Sequence, residues 1–165
     1  MTPLWQEVAR VLPPADELVR TALRLVGSLL VGTVIGLQRQ LTHKPAGLRT
    51  HLLVALGTTL LVVAAVNSGM KSGDVSRVVQ GLITGIGFLG GGTILKLTQE
   101  HEIRGLTTAA GIWLTAAASV AVGLGKFADA FIGVLFALIV LTAVGKFSAN
   151  HSDANESESS DRHRV

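Results

Sequence analysis

The chain has 165 residues, the length of a single domain, but 48% of them are hydrophobic and only 15% are charged. A mean hydropathy of +0.53 is too high for a soluble globule with so few charges, so the composition indicates a membrane protein. The net charge of +3 does not indicate nucleic-acid binding, because the basic residues lie in short clusters at the ends of apolar runs and are not grouped with aromatic residues.

Five apolar runs approach the roughly 20 residues that cross the hydrocarbon core of a bilayer. They predict helices over residues 18–37, 48–66, 78–95, 105–125 and 130–144. The first run contains Arg20 and Arg24 near its start, and their side chains can extend to the lipid headgroups. The last has only 15 residues, which leaves a re-entrant segment as an alternative. The predicted fold class is an all-α integral membrane bundle of about five transmembrane helices.

The two ends of the chain differ from this apolar region. Residues 1–17 are predicted to be a surface segment, with a short interfacial helix from Trp5 to Leu12, and acidic residues within it argue against a signal peptide. Residues 148–165 are rich in serine and acidic residues and predict a disordered polar tail, too short for a second soluble domain. The transmembrane domain is therefore expected at residues 18–147.

The third predicted helix contains the densest motif, GIGFLGGGTIL at residues 85–95, with glycines at Gly85, Gly87, Gly90, Gly91 and Gly92. Each glycine destabilises a helix by up to about 1 kcal/mol relative to alanine, so the motif calls for a compensating contact. One interpretation is close packing, with Gly81, Gly85 and Gly92 on one face against the fourth helix. The other is that the glycine triplet breaks the helix and exposes backbone groups to an ion or polar partner. A phosphate-binding loop is excluded, because no strand precedes the motif.

A basic connection, RQLTHKPAGLRTH at residues 39–51, joins the first two predicted helices. Its proline stops the first helix, and Thr50 is predicted to cap the second by accepting from free backbone amides. Arg39, Lys44 and Arg49 carry positive charge with no acidic neighbour, which predicts an anchor against anionic lipid. The alternative is that Arg49 and His51, at the mouth of the second helix, bind an anionic group on a partner.

The segment IRGLTTAA at residues 103–110 brings a similar sequence, with Arg104, to the start of the fourth helix. GLTT at 105–108 echoes GLRT at 47–50, so both helices are predicted to begin with the same capping device. Small and weakly polar residues on the fourth helix predict burial against the third, and Trp113, which lies inside the helix, is predicted to have a packing role and not an interfacial one. These small and weakly polar residues are Thr107, Thr108, Gly111, Thr115, Ala117 and Ala121.

The sequence contains no constellation typical of an enzyme, and we expect neither catalysis nor a cofactor. Cysteine is absent, which excludes thiol chemistry, and the five histidines lack the spacing and acidic neighbours of a metal site. No carboxylate lies in the middle of an apolar run, which argues against an ordinary cation-driven carrier.

Three motifs in this order, AGLRTHLLVALG at 46–57, GIGFLGGGTIL at 85–95 and IRGLTTAAGIW at 103–113, resemble the membrane domain of the MgtC/SapB family of bacterial inner-membrane proteins. GLQRQ at 36–40 resembles the opening motif of that family, and the resemblance covers residues 23–144. It implies a five-helix membrane domain linked to growth in low magnesium, virulence through survival inside host cells, stress adaptation and restraint of the F-type ATP synthase. It does not imply magnesium transport.

Two departures from the family pattern limit what the resemblance implies. Gln38 stands where the family usually has glutamate, which removes a carboxylate and argues against cation binding there. Longer members carry a cytoplasmic regulatory domain after the fifth helix, whereas this chain has its acidic, serine-rich tail. We therefore expect the membrane module alone.

The predicted function is a non-enzymatic regulator that binds the lipid bilayer and a membrane partner such as the ATP synthase. The alternative is a small oligomeric ion transporter or channel built around the glycine-rich helix. The predicted functional residues are Arg39, Arg49, Thr50, His51, the glycines of the 85–92 segment, Arg104, Thr107 and Thr108. Basic residues are more numerous in the first and third loops than in the others, which predicts an external amino terminus and a cytoplasmic tail.

Overall fold

The computed structural model describes residues 13–97 and 102–144, and five helices follow one another within them. They are α1 (Ala15–Leu41), α2 (Leu48–Asn67), α3 (Ser72–Gly92), α4 (Leu106–Gly123) and α5 (Phe127–Ile139), the last continued by a π-helical turn at Val140–Val144. Between α3 and α4, β1 (Leu95–Leu97) pairs antiparallel with β2 (Glu102–Arg104), with Leu95 opposite Arg104. The predicted all-α membrane bundle is confirmed, and the short hairpin is an addition that the sequence did not indicate. The interfacial helix predicted at Trp5–Leu12 and the tail lie outside the described residues.

Three of the described helices, α1, α2 and α4, are long and apolar enough to cross a membrane by length and composition. The third helix begins at Ser72, ahead of the predicted start at residue 78, and so takes Asp74 and Arg77 into its first turns. It ends at Gly92, where the prediction ran to Leu95. The fifth is a shorter apolar helix that begins at Phe127, ahead of the predicted residue 130.

The start and end of α1 follow from its local sequence. Pro14 occupies the N-cap, and Asp16 and Glu17 lie in the first turn, where negative charge stabilises the free amides of the helix. At the other end the Thr42 hydroxyl donates to the Gln38 carbonyl oxygen at 2.9 Å, which satisfies one terminal acceptor. The helix therefore runs past residue 37, where the prediction ended it, and its last turn carries Gln38 and Arg39 into the bundle.

The closest helix contact joins α1 to α2 and depends on two glycines of α1. A Cβ atom at Gly32 would lie 2.8 Å from the His51 carbonyl oxygen, and one at Gly36 would lie 2.8 Å from the Leu48 Cα. Gly32 and Gly36 are four residues apart and so lie on one face of α1, which lets the two backbones approach. The prediction that α3 and α4 make the closest contact is wrong, because α1 with α2 and then α2 with α4 have the larger contacts.

Helix α4 is the centre of the bundle, since it contacts all four other helices. Its inner side forms an apolar core with α1 and α5, through Val31 and Ile35 of α1 and Val122 of α4. A second apolar cluster joins Ile86 of α3 to Ile112 on another side of α4. This arrangement places the side of α4 that carries Thr108, Thr115 and Ser119 inside the protein.

Candidate functional site

A line of buried polar groups follows α4 from its start into the membrane-spanning region. Thr108, Thr115 and Ser119 are all buried, and their spacings of seven and four residues place them on one face of the helix. With a rise of about 1.5 Å per residue, the line extends about 16 Å along the helix axis. Each of these residues is hydrogen-bonded through its side chain or carbonyl group to α1 or α2, so the line joins the three membrane-crossing helices. We call it the polar line.

Arg39 lies at the end of the polar line where α1 terminates. Its side chain is only 3% exposed, and its Nη2 atom donates to the Thr108 Oγ1 atom at 2.5 Å. The Nε atom is buried without a hydrogen-bond partner, and so is the Oε1 atom of the adjacent Gln38. Among the described residues the only ion pairs are Arg20 with Asp16 and Arg77 with Asp74, so Arg39 is a buried cation without a described counter-charge.

His51 lies deeper, fully buried between α1, α2 and α4. Its Nδ1 atom is 2.8 Å from the Thr115 Oγ1 atom, while the Thr115 hydroxyl donates to the Gly111 carbonyl oxygen at 2.9 Å. Because the single hydroxyl proton is used in that second bond, Thr115 accepts from His51 and Nδ1 carries a proton. The Nε2 atom is buried and has no partner. The close approach of Gly111, whose Cβ would lie 3.6 Å from the His51 Cε1 atom, makes room for the ring.

The other end of the polar line, deeper in the bundle, is a contact between α2 and α4. The Thr59 hydroxyl donates to the Ser119 carbonyl oxygen at 2.9 Å, and both side chains are fully buried. The Ser119 hydroxyl is buried without a partner. Hydroxyl groups that bridge neighbouring helices in this way stabilise membrane bundles by about 1 kcal/mol each.

The predicted site residues separate into a buried group and an exposed group. Arg39, His51 and Thr108 lie inside the bundle, whereas Arg49, Arg104 and Thr107 are exposed. The interpretation of Arg39 as a surface anchor against lipid is therefore wrong. His51 does lie in the first turn of α2, as predicted, but it is fully buried and so is not open to an anionic group on a partner. The exposed members sit at the starts of α2 and α4, at the end of the bundle where α1 terminates. With the exposed His43 and Lys44, they define what we call the basic end.

The predicted threonine caps are absent from α2 and α4. The N-cap residues are Gly47 and Gly105, which have no side chain to accept from the helix amides. At the start of α2 the Leu48 amide donates instead to the Gln40 Oε1 atom at 3.4 Å. Thr50 lies inside α2, half-buried. Gly105 has φ of +99° and touches the Thr93 carbonyl group, so the start of α4 requires the left-handed freedom of glycine and leaves no space for a side chain. The two helices share a glycine at the N-cap, and the threonines that follow it have other roles.

The glycine-rich segment of α3 is mostly exposed, which contradicts the interpretation of close packing. Added Cβ atoms would meet no neighbour within 4 Å at most of its glycines, so the predicted tight packing against α4 is wrong. Only Gly90 in the segment approaches α4, because a Cβ atom added there would lie 3.5 Å from the Ala109 Cβ atom. The helix also continues unbroken to Gly92, so the triplet ends the helix and does not interrupt it. The glycines with open space are Gly81, Gly85, Gly87, Gly91 and Gly92.

An apolar crevice separates the outer parts of α3 and α4. It has a volume of about 160 Å³ and is lined by Val79, Leu82 and Ile83 of α3, by Trp113 and Ala117 of α4, and by neighbouring side chains. Trp113 is 48% exposed, so it packs on the side of this crevice and not in the centre of the bundle. The small residues of α4 that were expected to face α3 divide accordingly, because Ala117 faces the crevice whereas Gly111 and Thr115 are buried towards His51.

Sequence reasoning missed Gly32, Gly36 and Thr59, although each had a signal. The two glycines of α1 have the small-xxx-small spacing that was recognised only in α3, and Thr59 lies two helical turns beyond His51 on the same face of α2. Chemically, the site offers hydroxyls, carbonyls, one imidazole and one guanidinium. Among the described residues no group of three histidine, cysteine or acidic side chains could hold a metal ion.

The apolar spans, the shared polar line and the helix-on-helix core define an α-helical membrane protein. The model of the MgtC family matches residues 25–150, and the chain belongs to that family. It is 40% identical over 140 residues to protein SrpB of Synechococcus elongatus, which covers 78% of this chain and 77% of that protein.

Two further relatives are longer than the region they share with this chain. Protein MgtC of Brucella abortus is 43% identical over 125 residues, and protein SapB of Bacillus subtilis is 36% identical over 124. These matches cover 74% and 71% of this chain but only 50% and 53% of the relatives, so the chain spans about half their length. No solved structure matches the chain.

Proposed function

We propose that this protein is a multi-pass protein of the bacterial inner membrane that supports ion and energy homeostasis in low magnesium by binding another membrane complex. The F-type ATP synthase is the partner that we propose. In this proposal the protein is not an enzyme and does not transport an ion. The observation that supports binding most strongly is the basic end, where Arg49 and Arg104 are exposed beside Lys44 and Thr107.

The basic end suits an anionic surface on a partner. Its cations stand at the starts of α2 and α4. The partial positive charge of these two helix starts is offset by the ends of α1 and α3 in the same region, so the attraction comes from the cationic side chains. Lys44 and Arg49 are exposed, and neither forms an ion pair with an acidic residue whose side chain the structure describes. Binding of an acidic partner would therefore require no rearrangement of the bundle.

The polar line favours a regulator over the alternative of a transporter or channel. Its groups bind each other across the α1, α2 and α4 interface, and its described members include no carboxylate. Hard cations such as Mg²⁺ are bound in proteins mainly by carboxylate oxygens and retained waters. The buried, positively charged Arg39 would also repel any cation that entered the polar line.

Substitution of Arg49 tests the proposal in cells. Arg49→Ala is expected to abolish growth support in low magnesium while the amount of membrane protein stays unchanged, because the exposed guanidinium contributes to binding and not to folding. Arg49→Lys is the discriminating control. Lysine cannot bind a partner carboxylate through two parallel N–H groups as arginine does, so partner binding should be lost in Arg49→Lys. A lipid anchor needs only the positive charge and should tolerate the substitution. Full growth support by Arg49→Ala, or by Arg49→Lys alone, would contradict partner binding through this residue.

A further inference from the structure

We infer that the buried guanidinium of Arg39 is the binding site of a small monovalent anion, of halide or formate size, which supplies the counter-charge that none of the described side chains provides. This inference is independent of the proposed partner, since it concerns a group inside the bundle and not the basic end. It rests on the hydrogen-bond inventory of Arg39, on the absence of a nearby described acid and on the closed surroundings of the site.

The inventory of Arg39 shows a cation with unused donors. A guanidinium has five N–H groups in a planar arrangement, and the structure pairs one nitrogen, Nη2, with the neutral Thr108 hydroxyl. The Nε donor has no partner although its atom is buried. Leaving a buried charge uncompensated is among the costliest arrangements in a folded protein, and it is worse in a hydrocarbon environment. A second ligand for the guanidinium would offset this cost.

None of the four acids whose side chains the structure describes can fill this role, because Asp16, Glu17, Asp74 and Asp129 all lie at the opposite end of the bundle. Asp16, the acid at the other end of α1, is 23 residues from Arg39, about 34 Å along the helix, and already pairs with Arg20. Asp74 lies at the start of α3, at the same far end of the bundle, and lies 4.0 Å from Arg77. The polar residues next to Arg39 in the sequence and along the polar line are also uncharged or cationic: Gln38 precedes it, and Thr108 and His51 follow along the line.

The closed surroundings decide which source of negative charge fits. Arg39 is 3% exposed, and the Gln38 Oε1 atom beside it is fully buried. A lipid phosphate or a partner side chain is attached to a larger body that has to enter with it, whereas a free ion needs only a transient opening. A guanidinium binds planar carboxylates and small anions through parallel N–H groups, so chloride and formate are suitable probes.

Thermal unfolding of the purified full chain in a non-ionic detergent tests the site. At constant ionic strength, potassium gluconate supplies an anion too large for the site, and chloride or formate replaces it stepwise. We expect the melting temperature to rise with the logarithm of the anion concentration above the dissociation constant, by about 3–6 °C at ten times that constant. Equal melting temperatures in gluconate, chloride and formate would overturn the inference.

Three variants assign the effect to the site. Arg49→Met removes an exposed arginine and is expected to keep the full rise, whereas Arg39→Met is expected to lose it. Gln38→Glu provides an internal carboxylate next to Arg39, so its melting temperature in gluconate should be high and insensitive to small anions. An unchanged rise in Arg39→Met or in Gln38→Glu would contradict the assignment. Because Gln38→Glu retains the arginine, it gives a decision even if Arg39→Met does not fold.

Discussion

Replacing Gly32 by alanine tests whether the bundle is built on the contact between α1 and α2. The added Cβ would lie 2.8 Å from the His51 carbonyl oxygen, 3.0 Å from the Leu52 Cα and 3.1 Å from the Ala55 Cβ. Two of these three neighbours are backbone atoms, so the helices have to separate. Overpacking of this kind costs about 1–3 kcal/mol, against a gain of up to about 1 kcal/mol from the helix propensity of alanine. We expect a net loss of about 1–2 kcal/mol.

The matched control is the same substitution at Gly85, where an added Cβ meets no atom within 4 Å. There only the propensity gain remains, so Gly85→Ala should stabilise the protein by about 0.5–1 kcal/mol. In thermal unfolding of the two purified variants, the difference should amount to about 3–12 °C for a chain of this size. If Gly32→Ala melts as high as Gly85→Ala, or if Gly85→Ala is the less stable, the assignment of the packing glycines is wrong.

Three further predictions concern the polar line and the topology. Thr108→Val removes the hydroxyl that accepts from Arg39 while keeping its shape, and it should cost about 1–3 kcal/mol in unfolding free energy; in an Arg39→Met background the same substitution should cost much less, and an equal cost would refute the coupling. Thr59→Val removes the bond to the Ser119 carbonyl and should lower the unfolding free energy by about 0.5–1.5 kcal/mol, whereas no change in melting temperature would argue against that bond. Single cysteines at Lys44 and Ser72, both exposed, should react with a membrane-impermeant thiol reagent from the cytoplasmic and external sides respectively, and the reverse pattern would invert the predicted topology.

The helices of this protein are readable from its sequence because apolar runs long enough to span a bilayer allow few alternatives. The predicted 48–66 and 105–125 correspond closely to Leu48–Asn67 and Leu106–Gly123. The helix starts were less readable, since charged residues do not stop a helix. Asp74 and Arg77 fit in the first turns of α3, although a hydropathy criterion places the start after them.

The choice of packing glycines was wrong for a physical reason. Gly32 and Gly36 have the same four-residue spacing as Gly81 and Gly85, so the sequence offers two equivalent small-residue faces. Which face meets another helix depends on the arrangement of all the helices, which the sequence does not show. The dense glycine cluster of α3 therefore looked more significant than the single pair in α1. The structure assigns the close contact to α1 and leaves the glycines of α3 open.

The burial of Arg39 and His51 was equally beyond the sequence. A basic residue at the end of an apolar run has the pattern of a lipid anchor, as Arg49 has, and nothing in the neighbouring residues distinguishes the two arginines. Arg39 is distinguished by its hydrogen bond to Thr108, a residue 69 positions away. Such pairings follow from the packing of α1 against α4 and not from any local motif.

The central claim is that the basic end binds a membrane complex, and site-specific photo-crosslinking in native membranes measures this most directly. A photoreactive amino acid at Thr107, exposed at the basic end, should form an adduct with a subunit of the ATP synthase in cells grown in low magnesium. The same probe at Ser72, exposed at the opposite end, should not. The account predicts an adduct from Thr107 that disappears in an Arg49→Ala background. Absence of any ATP synthase adduct from Thr107, together with magnesium flux by the purified protein in liposomes, would contradict it in favour of a transporter.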